Sequence, residues 1–163
     1  MTKLLLSLHV LAAVLAIGPV AVAASMFPPA LRRAHSAADA ASDAASDTAE
    51  ALSHLRLLHR ICHVYAIIGI AVPLFGAATA GSLGVLGSGW LIASIALTAA
   101  AAVILVVLIL PTQETALTTA QGPDAGSVTA VAGRLGMLTG VFNLLWATVT
   151  ILMIIRPGST TGA

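Results

Sequence analysis

The sequence carries little charge. Only 8% of its 163 residues are Asp, Glu, Lys or Arg, whereas soluble domains carry about 25%. The formal net charge of +1 is too small to indicate a nucleic-acid partner. Hydrophobic residues form 59% of the chain, and its mean hydropathy is +1.05. A chain of this composition is predicted to lie mostly within a lipid bilayer.

Cysteine is nearly absent, and the common catalytic signatures are missing. The single cysteine, Cys62, excludes an intrachain disulfide. The sequence contains no Gly-rich phosphate loop, HExxH, GxSxG or CxxC motif. No charged residue falls in the central part of any apolar run, which disfavours a proton pump or an ion-coupled carrier. The sequence therefore gives no positive indication of an enzyme.

Four apolar runs are long enough to cross a membrane. The clearest is Trp90–Leu110, which has no charged residue, proline or glycine. At about 1.5 Å per residue, a helix of this length crosses a hydrocarbon core of about 30 Å. The other runs cover residues 4–24, 61–80 and 135–155. They predict an all-α fold, in which one membrane domain (residues 1–163) forms a bundle of four transmembrane helices.

The first run also has features of a secretory signal peptide. It follows the basic residue Lys3 and ends in small residues before Ser25. It is longer than the apolar core of a typical signal peptide, which has about 7–15 residues. We therefore favour a retained transmembrane helix, with a cleaved signal peptide as the alternative.

Residues 25–60 form the only long polar segment. Pro28-Pro29 is expected to end the first helix, because proline lacks the backbone N–H and restricts the residue before it. The alanine-rich repeat Asp39–Glu50 favours a helix with its acidic residues near one face. We expect a solvated helical connector between the first two spans, with a cation or partner site on its acidic face as the alternative.

The two remaining loops differ in length and polarity. Gly81–Gly89 is short and uncharged, which predicts that the second and third helices are antiparallel neighbours. Pro111 is expected to end the third helix, and Thr112–Gly133 is expected to be a polar loop. Basic residues concentrate in the first and third loops and at their edges, at Arg32, Arg33, Arg56, Arg60 and Arg134. The positive-inside rule then places these loops in the cytoplasm of a bacterium and both termini outside its plasma membrane.

His9 is a polar residue about two turns into the first span. Burying a polar group in lipid is costly, so such a residue is a candidate for function. Three roles are open: a ligand to haem b or copper, a proton relay, or a hydrogen bond to a neighbouring helix. If His9 binds haem, Met153 in the fourth span lies at a matching depth and is the candidate second axial ligand.

His59 and His63 stand at positions i and i+4 where the second span begins, with Cys62 beside them. This spacing brings two imidazoles to one helix face, and imidazole and thiolate both bind transition metals. A complete site needs three or four ligands, and no further His or Glu has the matching spacing. The group is a candidate metal site, with contact to lipid headgroups as the alternative.

Small residues recur in the fourth span at Ala132, Gly136 and Gly140, and Asn143 continues near the same face. Small side chains let helix backbones approach closely in lipid, and asparagine can hydrogen-bond to a neighbouring helix. We therefore predict that Gly136, Gly140 and Asn143 serve helix packing.

Three features together resemble a known family. They are the opening LLLSLHVLAAVLAIGP, the Arg32-Arg33 pair, and the ending GRLGMLTGVFNLLWATVTILMIIRP. The chain resembles uncharacterised bacterial integral membrane proteins that are distantly related to copper-resistance D type membrane proteins. The resemblance covers all four spans and implies a four-helix membrane fold. It suggests copper or haem handling through His9. The chain lacks the intramembrane lysine of related haem-pathway membrane oxidases, which argues against an enzyme.

These observations favour a non-enzymatic accessory or structural subunit of the plasma membrane. Its partners would be the lipid bilayer, further copies of the chain or a larger membrane complex. The alternative is a haem- or copper-binding membrane protein that uses His9 in electron transfer or metal uptake. A small-solute permease is a further alternative, disfavoured by the lack of charge inside the spans.

Overall fold

The computed structural model describes residues 2–39, 45–120 and 125–158. Within them the chain consists of helices joined by short turns, so the predicted all-α class is confirmed. A π-helical segment, Ile104–Ile109, lies between α4 and α5. The α-helices are α1 Thr2–Asp39, α2 Ala45–Ile68, α3 Ala71–Leu83, α4 Gly89–Val103, α5 Leu110–Thr119 and α6 Ala125–Ile155.

Among the described residues, four helical stretches are long and apolar enough to cross a membrane: Thr2–Ala38, Ser46–Leu83, Gly89–Thr119 and Ser127–Ile155. Their most apolar windows are only 11–28% buried inside the protein, which fits helices surrounded by lipid. The shortest stretch has 29 residues and the longest has 38. At about 1.5 Å per residue, all four exceed a hydrocarbon core of about 30 Å and project beyond it.

The expectation that Pro28-Pro29 ends the first helix is wrong. Helix α1 continues through both prolines to Asp39. Proline inside a helix costs about 3 kcal/mol, because one hydrogen bond is lost and the ring crowds the preceding turn. Phe27 and Leu31 flank the prolines and are fully buried, so continuing the helix buries large apolar side chains that offset this cost.

The predicted connector is part of two long helices. Helix α1 packs along α2 and α3 and runs antiparallel to both. Near the start of α1, His9 contacts Val72 of α3. Near the end of α1, Ala30 lines a groove together with Ala51 of α2. Leu31 on α1 and Leu55 on α2 belong to the same buried core. The two helices therefore extend past the apolar runs as a packed pair. Part of the predicted repeat, residues 40–44, lies outside the described residues.

The second predicted span is divided into α2 and α3. The break falls at residues 69–70, within a turn of Pro73. The amide of Val72 donates to the carbonyl oxygen of Gly69 at 3.1 Å, a three-residue bond that tightens the chain here. Proline lacks an N–H, so the carbonyl four residues before it has no ordinary helical donor.

The expectation that Pro111 ends the third helix is also wrong. The helix continues as α5 to Thr119, so much of the predicted loop Thr112–Gly133 is helical. The π-helical segment directly before Pro111 provides the reason. In it, the amide of Leu110 donates to the carbonyl oxygen of Leu105, five residues earlier. This wider turn leaves space for the proline ring and needs no N–H from it.

The π-helical segment also sets the phase of α5. Ala101 and Gln113 are both fully buried. A regular α-helix turns about 100° per residue, which would place these two side chains about 120° apart. The wider π-helical turn accommodates one extra residue without additional rotation. The angle between the Ala101 and Gln113 side chains is then about 20°, so both face the interior.

Deleting Val107, an exposed residue of the π-helical segment, should therefore be tolerated. The shortened helix would become regular while Gln113 keeps its phase, so the thermal unfolding midpoint in detergent should change little. Deleting Val141, an exposed residue within the regular helix α6, is the matched control. It should rotate the rest of α6 by about 100° and lower the midpoint strongly. Equal losses in both variants would contradict this account of the segment.

Candidate functional site

His9 joins α1 to α3. Its side chain is 8% exposed, and its Nδ1 lies 2.9 Å from the carbonyl oxygen of Val72. A carbonyl oxygen only accepts, so Nδ1 carries the proton and donates it. Nε2 then holds the lone pair, and it has no hydrogen-bond partner among the described residues.

Gly76 provides the space in which the His9 imidazole sits. A Cβ at position 76 would lie 2.9 Å from His9 Cε1 and 3.2 Å from Nδ1. The first distance is shorter than side-chain carbons adopt, so any larger residue would displace the ring. The missing side chain at Gly76 and the carbonyl of Val72 together fix where the imidazole lies.

Met153 lies half-buried near the end of α6. Its carbonyl oxygen accepts a hydrogen bond from Arg156 Nε at 3.2 Å, and the Arg156 guanidinium stands 5.6 Å from the centre of the Trp90 ring. This cation–π contact joins the end of α6 to the start of α4. No hydrogen bond or ring contact joins Met153 to His9, so their pairing around a haem stays a prediction.

A second polar connection joins α2 to α5 through Gln113, which is fully buried. His59 Nδ1 donates to Gln113 Oε1 at 3.2 Å, and Gln113 Nε2 donates to Cys62 Sγ at 3.6 Å. The Gln113 carboxamide thus bridges His59 and Cys62, two side chains about one turn apart on the same face of α2. It satisfies its own buried polar atoms and closes the interior against α5.

The predicted metal ligands do not form a cluster. Cys62 is buried and accepts from Gln113, whereas His63 is exposed. The His59 and His63 ring centres are 6.4 Å apart. Across the described ranges, no group of three or more His, Cys, Asp or Glu side chains is arranged to hold a metal ion. Metal binding by the two histidines stays a prediction.

Helix α6 meets α1 through two polar contacts. Thr139 Oγ1 donates to the carbonyl oxygen of Ala24 at 3.5 Å, and Asn143 Nδ2 donates to Ser25 Oγ at 3.3 Å. Gly136 and Gly140 behave differently from Asn143. Both are exposed, and a Cβ at either position would meet nothing within 4 Å. Their Cα positions therefore face the outer surface of the described part of the chain.

A shallow groove of about 230 Å³ lies between the projecting parts of α1 and α2. Arg33 lines one side of it, and Asp47, Glu50 and His54 line the other. All three charged side chains are exposed, so water solvates them. This groove is the structural counterpart of the acidic face predicted from the sequence, and its geometry assigns it no ligand.

Sequence reasoning identified His9, His59 and Cys62 but not their partners. The sequence prediction places Gln113 in a loop, and Val72 contributes only a backbone carbonyl. No periodicity marks Gln113, because residues 101–110 are all apolar and so identify no buried face.

Comparisons with family models, curated proteins and solved structures find no match for this chain. Its site must therefore be interpreted from its own contacts. Among the described residues, those contacts hydrogen-bond α1 to α3, α2 to α5 and α1 to α6, and the His9 bond leaves the Nε2 of its imidazole without a partner.

The packing of His9 against Gly76 predicts a strong coupling between the two positions. Gly76→Ala should cost about 1–3 kcal/mol of unfolding free energy, because its Cβ overlaps the imidazole. In a His9→Ala background the same change should be neutral or slightly stabilising. Gly81→Ala, in the same helix with open space around it, is the control and should stabilise. Equal costs of Gly76→Ala in both backgrounds would contradict the contact. Unfolding in detergent measures all four variants.

Gln113→Ala should destabilise the α2–α5 contact by about 1–3 kcal/mol, since the partly buried Nδ1 of His59 loses its acceptor and the buried Cys62 Sγ loses its donor. Cys62 is the single cysteine, so a neutral, membrane-permeant thiol reagent reports directly on opening here. Labelling should become faster in Gln113→Ala. It should stay slow in Glu114→Ala, which removes the exposed neighbouring side chain. Unchanged labelling in Gln113→Ala would show that the carboxamide does not hold this contact closed.

Proposed function

We propose that this chain is a non-enzymatic accessory subunit of a larger complex in a bacterial plasma membrane. The observation that supports the proposal is how its interior polar side chains are used. Hydrogen bonds from polar side chains join neighbouring helices: His9 joins α1 to α3, Gln113 joins α2 to α5, and Asn143 joins α1 to α6.

An interior organised in this way maintains the arrangement of the helices. In lipid, apolar helix faces gain little by leaving the acyl chains, so polar contacts and close backbone approach decide which faces meet. Among the described residues, the polar side chains named above bond to other helices of the same chain. A protein of this kind acts through its outer surface.

The outer face of α6 is the part of that surface best suited to another membrane helix. Gly133, Gly136 and Gly140 all have open space where a Cβ would lie. Small residues at this spacing allow two helix backbones to come close together. In the proposed complex, a helix of the partner packs on this face.

Site-specific photo-crosslinking in the native membrane tests the proposal. A photoreactive residue at Gly136 should give one protein adduct of defined mass, and a second substitution, Gly140→Leu, should abolish it by blocking close approach. The same photoreactive residue at Val107, which is exposed on another helix, is the control and should label lipid alone. Lipid labelling alone from Gly136 would contradict the proposal.

A second candidate function rests on the free nitrogen of His9. Metal-binding histidines commonly donate one ring N–H to a backbone carbonyl, which leaves the other nitrogen as the ligand. His9 has this arrangement, with Nδ1 on Val72 and Nε2 uncommitted. Haem or copper would add an electron-transfer centre, and His9 Nε2 would supply one ligand to it. The other ligands would come from outside the pair described.

Absorption spectra and metal analysis of the purified protein test this second candidate. After expression with added haem or copper, a Soret band or stoichiometric copper should be present and should disappear in His9→Ala. His54→Ala is the control, because His54 lines the groove outside the membrane. A colourless, metal-free protein would leave His9 as a purely structural hydrogen-bond donor.

A further inference from the structure

We infer that α2 carries a binding site for the headgroup of an anionic phospholipid, formed by Arg56, Arg60 and His63. The inference rests on the part of the proposed function that places the chain in a bilayer. It does not depend on a protein partner.

The three side chains form one stripe on the outer face of α2. At about 100° per residue, Arg56, Arg60, His63 and Ile67 fall within about 60° of one another around the helix axis. All four residues are exposed, whereas Cys62 and Leu58 on the same helix are buried. The stripe thus changes from basic to apolar along the helix without leaving the surface.

The level of the stripe matches the headgroup layer of a membrane. Arg60 directly precedes the apolar run 61–80, and Arg56 stands about 6 Å further out. The headgroup layer on each side of the hydrocarbon core is about 5–8 Å thick. Both guanidinium groups therefore reach the phosphate level, while Val64 and Ile67 lie at the level of the acyl chains.

In the described part of the chain, neither Arg56 nor Arg60 makes an ion pair or a hydrogen bond, so no described side chain competes for their guanidinium groups. Guanidinium groups bind phosphate oxygens in a bidentate manner, and basic residues near an anionic surface are attracted to it. Two arginines one helical turn apart can hold one phosphate between them.

The apolar continuation of the stripe favours a phospholipid over a free anion. Ile67 is 59% exposed and Val64 is 40% exposed, so an acyl chain can lie along them while its phosphate contacts Arg60. A free phosphate would gain nothing from this part of the surface. The shape and the charge of the stripe together match a lipid with an anionic headgroup.

Native mass spectrometry of the full-length protein in detergent tests the inference. Phosphatidylglycerol and phosphatidylcholine with identical acyl chains are added separately, and the population of one-lipid adducts is compared. We expect phosphatidylglycerol to bind about tenfold better than phosphatidylcholine. The preference should disappear in Arg56→Gln/Arg60→Gln. Equal binding of the two lipids, or a preference that survives in this variant, would overturn the inference.

Arg33→Gln is the matched control. It removes the same charge from an exposed arginine of α1 that lies beyond the first apolar run, residues 4–24, and outside the headgroup layer. This variant should keep the preference for phosphatidylglycerol. Arg60→Gln alone should halve the difference in binding free energy between the two lipids, which gives a second test if the double variant is unstable.

Millimolar inorganic phosphate should not displace the lipid. Displacement would show a general anion site and overturn the assignment to a phospholipid. Lipid preference without a crosslinked partner at Gly136 would support this site while contradicting the accessory-subunit proposal.

Discussion

The structure depends on one kind of interaction: the hydrogen bonds by which polar side chains of the apolar helices join one helix to another. An unpaired donor or acceptor in hydrocarbon costs several kcal/mol, whereas apolar helix faces gain little by meeting each other there. These bonds favour particular helix pairs, whereas α1 and α2 meet through apolar packing that includes Leu31 and Leu55. His9 selects α3 as the neighbour of α1 through the Val72 carbonyl, and Gln113 selects α5 as the neighbour of α2.

The cost of unpaired backbone groups explains why Pro28-Pro29 and Pro111 do not end helices. A helix end inside or near lipid would expose several unpaired backbone groups, whereas a proline removes a single hydrogen bond. At Pro28-Pro29 the flanking residues Phe27 and Leu31 are buried by continuing the helix. At Pro111 the π-helical segment widens one turn and leaves the rest of the helix intact.

Hydropathy predicts the four spans because it depends on local composition alone, and His9 was identified because it is polar within an apolar run. The partners were harder to predict. Val72 contributes a backbone carbonyl, which every residue has, so no side-chain pattern marks it. The proline rule considers only neighbouring residues and therefore predicts a loop at Gln113. Its inward orientation depends on the π-helical segment, whose extra residue changes the phase by about 100°.

Apolar packing extends along the whole bundle, and polar contacts supplement it at particular places. One buried core includes Phe27, Leu31 and Leu55, where α1 and α2 extend past the apolar runs, and it continues to Ile109, Leu135 and Phe142 within the runs. His9, in the first apolar run, adds a hydrogen bond to Val72 at a place where Gly76 leaves room for its ring. Arg56 and Arg60 stand just before the apolar run 61–80, which is the level at which the headgroup of the proposed lipid would lie.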